Sequence, residues 1–406
     1  MNPFPTDAEV IPILSVTEGT PAPLFFFTTS EGFEPPSHPK FLYFTTEKTL
    51  VYTAFFADFG PLDLGLTYKF CKQMEDIMAL AVKENKSVGY YCSNRKDGHA
   101  RANSAVLLCA YLILVLGMQP EKAYKPFFQI KKPFTPFRDA AFALNSWPLF
   151  VVDCAKAFHK AASNGHFDYS TFDLEKFEFM AQLHNGDMSW IIPNKLLAFS
   201  GPLAKRKELA SGKHTLTPED YCAPFKELGV RCIVRFNNKC YDKRIFERSG
   251  FNHVDMFYED GANPTDAILQ QFLSLVETQS GGIAVHCKAG LGRTGTNICA
   301  YMIKHLGYSA RESIAWHRIC RPGAVVGPQQ QYLCSMEDKL VMEGAQFKAL
   351  RTQDKLRSDR SRQTSPIPST VRRGSKDRRG SKELIQALER KDSASSATRK
   401  LANLKI

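Results

Sequence analysis

From Phe41 onward, short aromatic and β-branched runs alternate with longer stretches whose apolar positions recur at helical spacing. FLYF (41–44), LVYTAFF (50–56) and SVGYYC (87–92) read as strands, LGLTYKFCKQMEDIMALAVKE (64–84) as a helix, and an apolar helix starts near Ala102. A second alternation begins near Trp190, with WIIP, KLLAFSG, RCIVRFN, HVDMFY and GIAVHC, and closes in helical stretches through about Leu340. Strands interleaved with helices predict α/β layers, each a mostly parallel sheet flanked by helices. Residues 1–40, rich in Pro, Thr and Phe, read as an extended lead-in.

The two alternations share a repeat. Cys109-Ala110-Tyr111 followed by Gly117 recurs as Cys299-Ala300-Tyr301 followed by Gly307, and each copy follows a strand ending in Tyr91-Cys92 or His286-Cys287. The register predicts two related domains, 1–170 and 187–345. Between them Leu174, Phe177, Met180 and Leu183 form a helical stripe, which predicts a linker helix over 171–186 packed against both domains. After about residue 346 the chain is rich in Arg, Ser and Lys and nearly free of aromatic residues, so 346–406 reads as a disordered basic tail.

Charge follows the same division. Of the net +12, residues 341–406 hold 17 bases against 7 acids, leaving 36 against 34 in the rest of the chain. The basicity belongs to the tail, which argues against a folded nucleic-acid-binding face. The longest apolar run, Ala105–Met118, is shorter than the roughly 20 residues a membrane span needs. The start lacks a basic region ahead of its short apolar patch, which argues against a signal peptide. The 11 cysteines show no zinc spacing, and their odd number suits reduced, buried thiols. No metal ligand set or cofactor motif is visible.

One cysteine has special neighbours. The apolar strand Gly281–Val285 ends in His286-Cys287, and Lys288-Ala289-Gly290-Leu291-Gly292 then leads to Arg293-Thr294 and an apolar helix. Such a strand-to-helix loop turns its backbone N–H groups toward one point at the positive end of a helix dipole, and so cradles an oxyanion. Gly290 and Gly292 permit the backbone angles this requires. The groups that hold a phosphate also stabilise a thiolate, which makes Cys287 a candidate nucleophile. Arg293 can grip two phosphate oxygens with its planar fork, and Thr294 can donate its hydroxyl to the sulfur. A leaving alkoxide needs a proton, and Asp260 in Tyr258-Glu259-Asp260-Gly261 is the candidate acid, with Glu259, Asp255 and Asp266 as competitors. Gln329-Gln330-Gln331 offers a residue to position the attacking water, for which Gln331 is the candidate, or else a polar helix start.

HCKAGLGRTGT, together with YEDG, IAWHRICRPG and GPQQQYL, resembles the mitotic-exit dual-specificity phosphatases, the cell-division-cycle-fourteen family. FFADFGPLDL (55–64), PFRDAAF (136–142), NGDMSWIIPNKLLAFSGP (185–202) and 251–333 extend the likeness over roughly 40–340. The resemblance implies tandem phosphatase domains joined by a linker helix, with only the second catalytic. Gly98 stands where an arginine would follow Cys92, in agreement with an inert first loop. It also implies that Asp260 is the general acid, and that phosphoserine or phosphothreonine followed by proline, and phosphotyrosine, are substrates. A basic residue a few positions on would be met by an acidic groove at the linker, to which Glu178 and Asp187 correspond. Ala181 stands where the family tends to have a glutamate, with Asp173 and Glu175 nearby.

Opposition to cyclin-dependent kinases in cell division is implied in the same way, as is an address in the nucleus, nucleolus and cytoplasm, or at the centrosome, spindle or basal body. Arg372-Arg373 and Arg378-Arg379 suit nuclear import, and Ser365, Ser375 and Ser381 look like kinase sites. Two other classes compete. Phosphoinositide phosphatases place lysines on both sides of the loop glycine, whereas here Lys288 is matched by Leu291. A scaffold role suits the first domain better than the second, whose Cys287, Arg293 and Asp260 are intact.

Overall fold

Strand Gly282–His286 is buried along its whole length, as a central parallel strand must be, and everything around the candidate loop is arranged on it. The computed structural model describes residues 3–6, 8–15, 22–93, 98–142 and 147–363, with side chains as far as residue 354. The first sheet comprises β1 (Val10–Leu14), β2 (Leu24–Thr29), β3 (Phe41–Phe44) and β4 (Ser87–Ser93) in the order β1-β2-β4-β3. β1 runs antiparallel to β2, and the other pairs are parallel. The second sheet, β5 (Met188–Ile192), β6 (Leu196–Phe199), β7 (Val230–Arg235), β8 (Asn252–Asp255) and β9 (Gly282–His286), has the order β5-β6-β9-β7-β8. Again only the first pair is antiparallel. The first four strands of the second order repeat the topology of the first sheet, so the sequence repeat corresponds to two copies of one α/β arrangement.

Helices α1 (Leu64–Glu84), α2 (His99–Ala110), α3 (Pro120–Tyr124) and α4 (Val151–Ser163) accompany the first sheet. The second carries α6 (Pro218–Glu227), α7 (Arg244–Arg248), α8 (Asp266–Thr278), α9 (Gly292–Leu306) and α10 (Ala310–Cys320), after α5 (Leu174–Ala181) between the sheets. α2 and α9 follow the central strands β4 and β9, and the repeated Cys109 and Cys299 are fully buried on them. The apolar run beyond Ala105 leaves α-helical geometry at Tyr111, where a π-helical turn takes over to Val115.

Up to Lys348 the two sheets share one compact unit. Arg311 of α10 donates to the Pro148 carbonyl ahead of α4 at 2.9 and 3.0 Å, and His166 Nδ1 meets Tyr308 Oη at 2.9 Å. α5 is shorter than the expected 171–186 helix because Asp173 caps it, accepting from Lys176 N at 2.9 Å. A 3₁₀ turn, Leu183–Asn185, follows it. Met180 shares a buried cluster with Met188 and Leu197, and Phe177 lies against Gly65 of α1. The last residue of the stripe, Leu183, is 49% exposed instead of packed.

Three other expectations are corrected. The lead-in holds β1 and β2, and β2 is an interior strand of its sheet. LVYTAFF forms no strand, and its Val51, Phe55 and Phe56 are exposed. The backbone stays helical beyond the expected start of the tail, because α11 (Gln329–Gln363) continues through residues of good intrinsic helix propensity such as Ala349, Leu350 and Arg351. Ser365, Ser375, Ser381 and both arginine pairs lie outside the described residues. No helix among the described residues is long and apolar enough to cross a membrane.

Burial holds four histidines neutral. Desolvation pushes His286 and His317 down to about 3, and His166 and His253 down to about 4. Each folded value lies below the roughly 6.5 of an unfolded histidine, so the unfolded chain takes up more protons as pH falls. Their contribution is complete above about pH 6.5 and is lost on acidification toward pH 4. Asp63 and Asp153, whose carboxyls burial raises, oppose this, but they are fewer and act nearer pH 4. Urea melts are therefore expected to show a lower midpoint at pH 5 than at pH 7.5, with about 1–2 kcal/mol lost per histidine. A midpoint unchanged between these pH values would contradict the burial of these rings as neutral groups.

Candidate active site

Between β9 and α9 the chain makes a tight loop whose carbonyls are all tied outward. Cys287 O faces His286 Nδ1 at 2.9 Å, and Lys288 O accepts from Gly201 N at 2.9 Å. Arg321 Nη2 donates to Ala289 O at 2.9 Å and its Nε donates to Gly290 O at 3.0 Å. Leu291 O accepts from Gly295 N, and Gly292 O from Thr296 Oγ1. With the carbonyls held outside, the peptide planes turn their N–H groups inward. The N–H groups of Lys288, Ala289, Gly290 and Leu291 donate to no group among the described residues. Cys287 opens this loop, lines the cleft above it and is 3% exposed. The start of α9 adds its positive dipole end.

Two glycines make the ring possible. Gly290 has φ +67°, and a Cβ there would lie 2.0 Å from Phe199 O of β6. A Cβ on Gly201 would lie 2.4 Å from Cys287 O. Neither position has room for any side chain.

Arg293, 3% exposed, is aimed by backbone acceptors, its Nη1 donating to Tyr258 O at 2.8 Å. Asn297 fixes the same corner, donating from Nδ2 to Tyr258 Oη at 2.8 Å and to Arg293 O at 2.9 Å. Arg293 Nη2 pairs with Asp260 Oδ1 at 3.0 Å, and its buried Nε has no partner. Asp260 stands on the rim, in the turn after β8. Of its competitors, Asp255 pairs with Arg235 and Asp266 with Lys339, while Glu259 lines a neighbouring hollow with Lys288 and Arg293 but not the cleft that holds Cys287.

Beneath the loop runs a polar chain whose donors can be assigned. A carbonyl only accepts, so His286 Nδ1 carries the proton toward Cys287 O and His286 Nε2 is an acceptor. Tyr241 Oη therefore donates to His286 Nε2 at 2.7 Å, and it accepts from His253 Nε2 at 2.8 Å. Burial keeps both rings neutral, so the direction of the chain is fixed.

Of the remaining sequence candidates, some are displaced. Gln331 is exposed on α11, whereas the fully buried Gln329 lines the cleft over Cys287. Its amide is set by Val326 N and Ala262 O, both at 3.1 Å, and its Oε1 would lie 3.0 Å from a Cβ on Gly292. A side chain opening a helix after Pro328 projects back over the N-terminal turn, which is the signal that favours the first of three glutamines. Thr294 is fully buried, but its hydroxyl has no hydrogen-bond partner, the sulfur included. Asp187, at φ +48°, gives both carboxylate oxygens to Arg321 at 2.8 and 2.7 Å, so its charge is neutralised. Glu178 pairs with Lys69 on α1 and does not line the groove beside the loop. Arg321 and Gly201 lie in runs that carry the resemblance, but nothing local in the sequence assigns them, Tyr241 or His253 a part in shaping the loop.

The first sheet lends a wall to the cleft. Phe55, Phe142 and Leu291 help line a cleft of about 630 Å³ above Cys287 and Gln329, and Asp139 of the first domain accepts from Gly327 N just ahead of α11. The counterpart cysteine, Cys92, is fully buried, and desolvation pushes its thiol up to about 12. The carboxylate of Glu47 occupies the N–H and hydroxyl of Ser93 next to it, and Gly98, at φ +67°, stands at the N-cap of α2. Residues 94–97 of that loop lie outside the described residues. No group of His, Cys, Asp and Glu side chains suited to a metal occurs among the described residues.

Comparison with known proteins bears on both halves. A family model described as "Dual specificity protein phosphatase, N-terminal half" matches residues 20–161, and "Polymorphic toxin system, DSP-PTPase phosphatase" matches 210–307. The dual specificity protein phosphatase CDC14C of Homo sapiens is 41% identical over 314 residues, 77% of this chain and 70% of that protein. CDC14AB of Danio rerio is 41% identical over 86% of this chain and 56% of its own length. The tyrosine-protein phosphatase cdc-14 of Caenorhabditis elegans is 41% identical over 70% of this chain and 40% of its own length. The chain thus spans only 56%, 51% and 53% of CDC14AB of Danio rerio and of CDC14A of Homo sapiens and Mus musculus, respectively.

Proposed function

Because this chain belongs to the CDC14 family of dual-specificity protein phosphatases, we propose that it hydrolyses phosphoserine and phosphothreonine followed by proline, and phosphotyrosine, through a thiophosphoryl intermediate on Cys287, opposing cyclin-dependent kinases in the cell cycle. The observation that carries this reading is the ring of inward N–H groups around Cys287, with the unpartnered Nε of Arg293 beside it. A phosphate entering the ring takes up these donors and replaces Asp260 on Arg293 Nη2, which frees the carboxyl to face the ester oxygen. Sγ then bonds to phosphorus as the ester oxygen leaves with a proton from Asp260. In the second step water attacks phosphorus, its proton returns to Asp260, and Sγ is released. Gln329 is placed to orient that water. The aromatic wall of Phe55 and Phe142 suits a peptide whose proline follows the phosphorylated residue.

One comparison tests the reading: turnover of an aryl phosphate, a Ser-Pro phosphopeptide and a soluble phosphoinositide, by the parent and by Asp260→Asn. The parent is expected to favour the peptide over the inositol phosphate. Asp260→Asn is expected to slow the peptide by about 10²-fold or more, and the aryl phosphate much less, since a good leaving group needs no proton. Preference for the inositol phosphate would sink the substrate assignment, and equal slowing on both esters would remove Asp260 from the role of acid.

A further inference from the structure

A groove leaves the nucleophile's cleft toward the linker, with an apolar wall beside the polar side chains of Asp63, Asp187, Ser189, Ser200 and Arg321. Phe55, Phe177, Ala181, Leu183, Leu291 and Pro322 line it, and Phe55 and Leu291 line the cleft above Cys287 as well, so groove and cleft are continuous. Its outer side chains are open to solvent, with Phe55 62% and Leu183 49% exposed.

The groove holds no uncommitted acid. Asp187 is locked in a two-pronged pair with Arg321, which is itself 4% exposed. Asp63 caps α1, accepting from Leu66 N at 2.8 Å, so its charge is spent on the positive end of that helix. On α5 the positions facing the groove are Phe177 and Ala181, one turn apart, neither of which carries a charge. Glu178 is turned to Lys69, and Asp173 lines the opposite side of the helix together with Lys176. A lysine or arginine laid in this groove would lose hydration without gaining a partner, whereas an aliphatic or aromatic side chain would bury its surface.

We infer that this groove takes an apolar side chain of the substrate peptide, flanking the phosphorylated residue, and that this phosphatase prefers such peptides over those with a basic residue there. The inference rests on the phosphatase reading and specifies its substrates. The occupant is a phosphopeptide flank, because the groove opens into the cleft that receives the phosphate and the charged groups in it already have partners.

The test uses the full chain and Ser-Pro phosphopeptides that differ only by Leu or Lys, placed in turn at each position flanking the phosphoserine. Each kcat/KM is divided by that of the same protein on an aryl phosphate. At one or two positions on one flank the Leu peptide is expected to exceed the Lys peptide about tenfold, the size of one partly buried aliphatic side chain. Ala181→Glu, which puts a free carboxylate on the groove face, is expected to reverse that ratio. Leu and Lys peptides that are equal everywhere, or Lys preferred, would overturn the inference while turnover of the aryl phosphate leaves the phosphatase reading standing. Absence of aryl phosphate turnover by the parent would overturn both.

Discussion

Cys287→Ser protein is expected to fold, to bind phosphopeptide about as tightly as the parent, and to lose at least about 10⁴-fold in kcat on an aryl phosphate. The substitution exchanges one buried atom for a slightly smaller one, and none of the bonds that shape the loop uses the sulfur. Inward N–H groups and Arg293 remain, so affinity for the phosphate is kept. What is lost is the nucleophile, because a serine hydroxyl is a far weaker nucleophile than a cysteine sulfur at neutral pH. Binding by fluorescence anisotropy and turnover by stopped assay separate the two effects. Aryl phosphate hydrolysis as fast as the parent's would show that the nucleophile is not Cys287.

Gly290→Ala tests the loop and not the sulfur, and a loss of about 10³-fold in kcat is expected. A methyl group there meets Phe199 O at 2.0 Å, on a strand paired to β9 that has no freedom to retreat. The loop must move instead, and each N–H displaced from the phosphate costs about 10²–10³-fold. Left-handed backbone adds about 1–2 kcal/mol of strain. Gly307→Ala separates the two contributions, because Gly307 shares the same backbone region at φ +68° but has nothing within 4 Å of an added Cβ. That variant is expected to lose stability of the same order and to keep its activity. If Gly290→Ala stayed within tenfold of the parent, the inward N–H groups would not be the source of catalysis.

How much of this was legible in the sequence depends on the distance over which each feature is built. The strand, cysteine, glycines, arginine and helix of the loop lie within one local run, so pattern and spacing sufficed. Arg321 reaches its partner Asp187 across 134 residues, and Gln329 reaches Ala262 across 67, so neither contact leaves a local trace. For the same reason Asp187 read as a free groove acid although the fold commits it to an arginine. LVYTAFF has the composition of a strand, but it pairs with none among the described residues and its Phe55 lines the cleft. Local preference and final structure part company there, as they do at functional surfaces in general. β1 and β2 were missed for a different reason: flanking prolines suggested an extended lead-in, and the apolar run Leu24–Phe27 went unread.

Asp139 gives a last consequence. The first domain fastens the segment ahead of α11, and with it Gln329, through the N–H of Gly327, while its Phe55 and Phe142 line the cleft. Its surface thereby forms one wall of the cleft over Cys287. An isolated second domain would keep the Cys287 loop whole and yet lose one wall of the cleft above it.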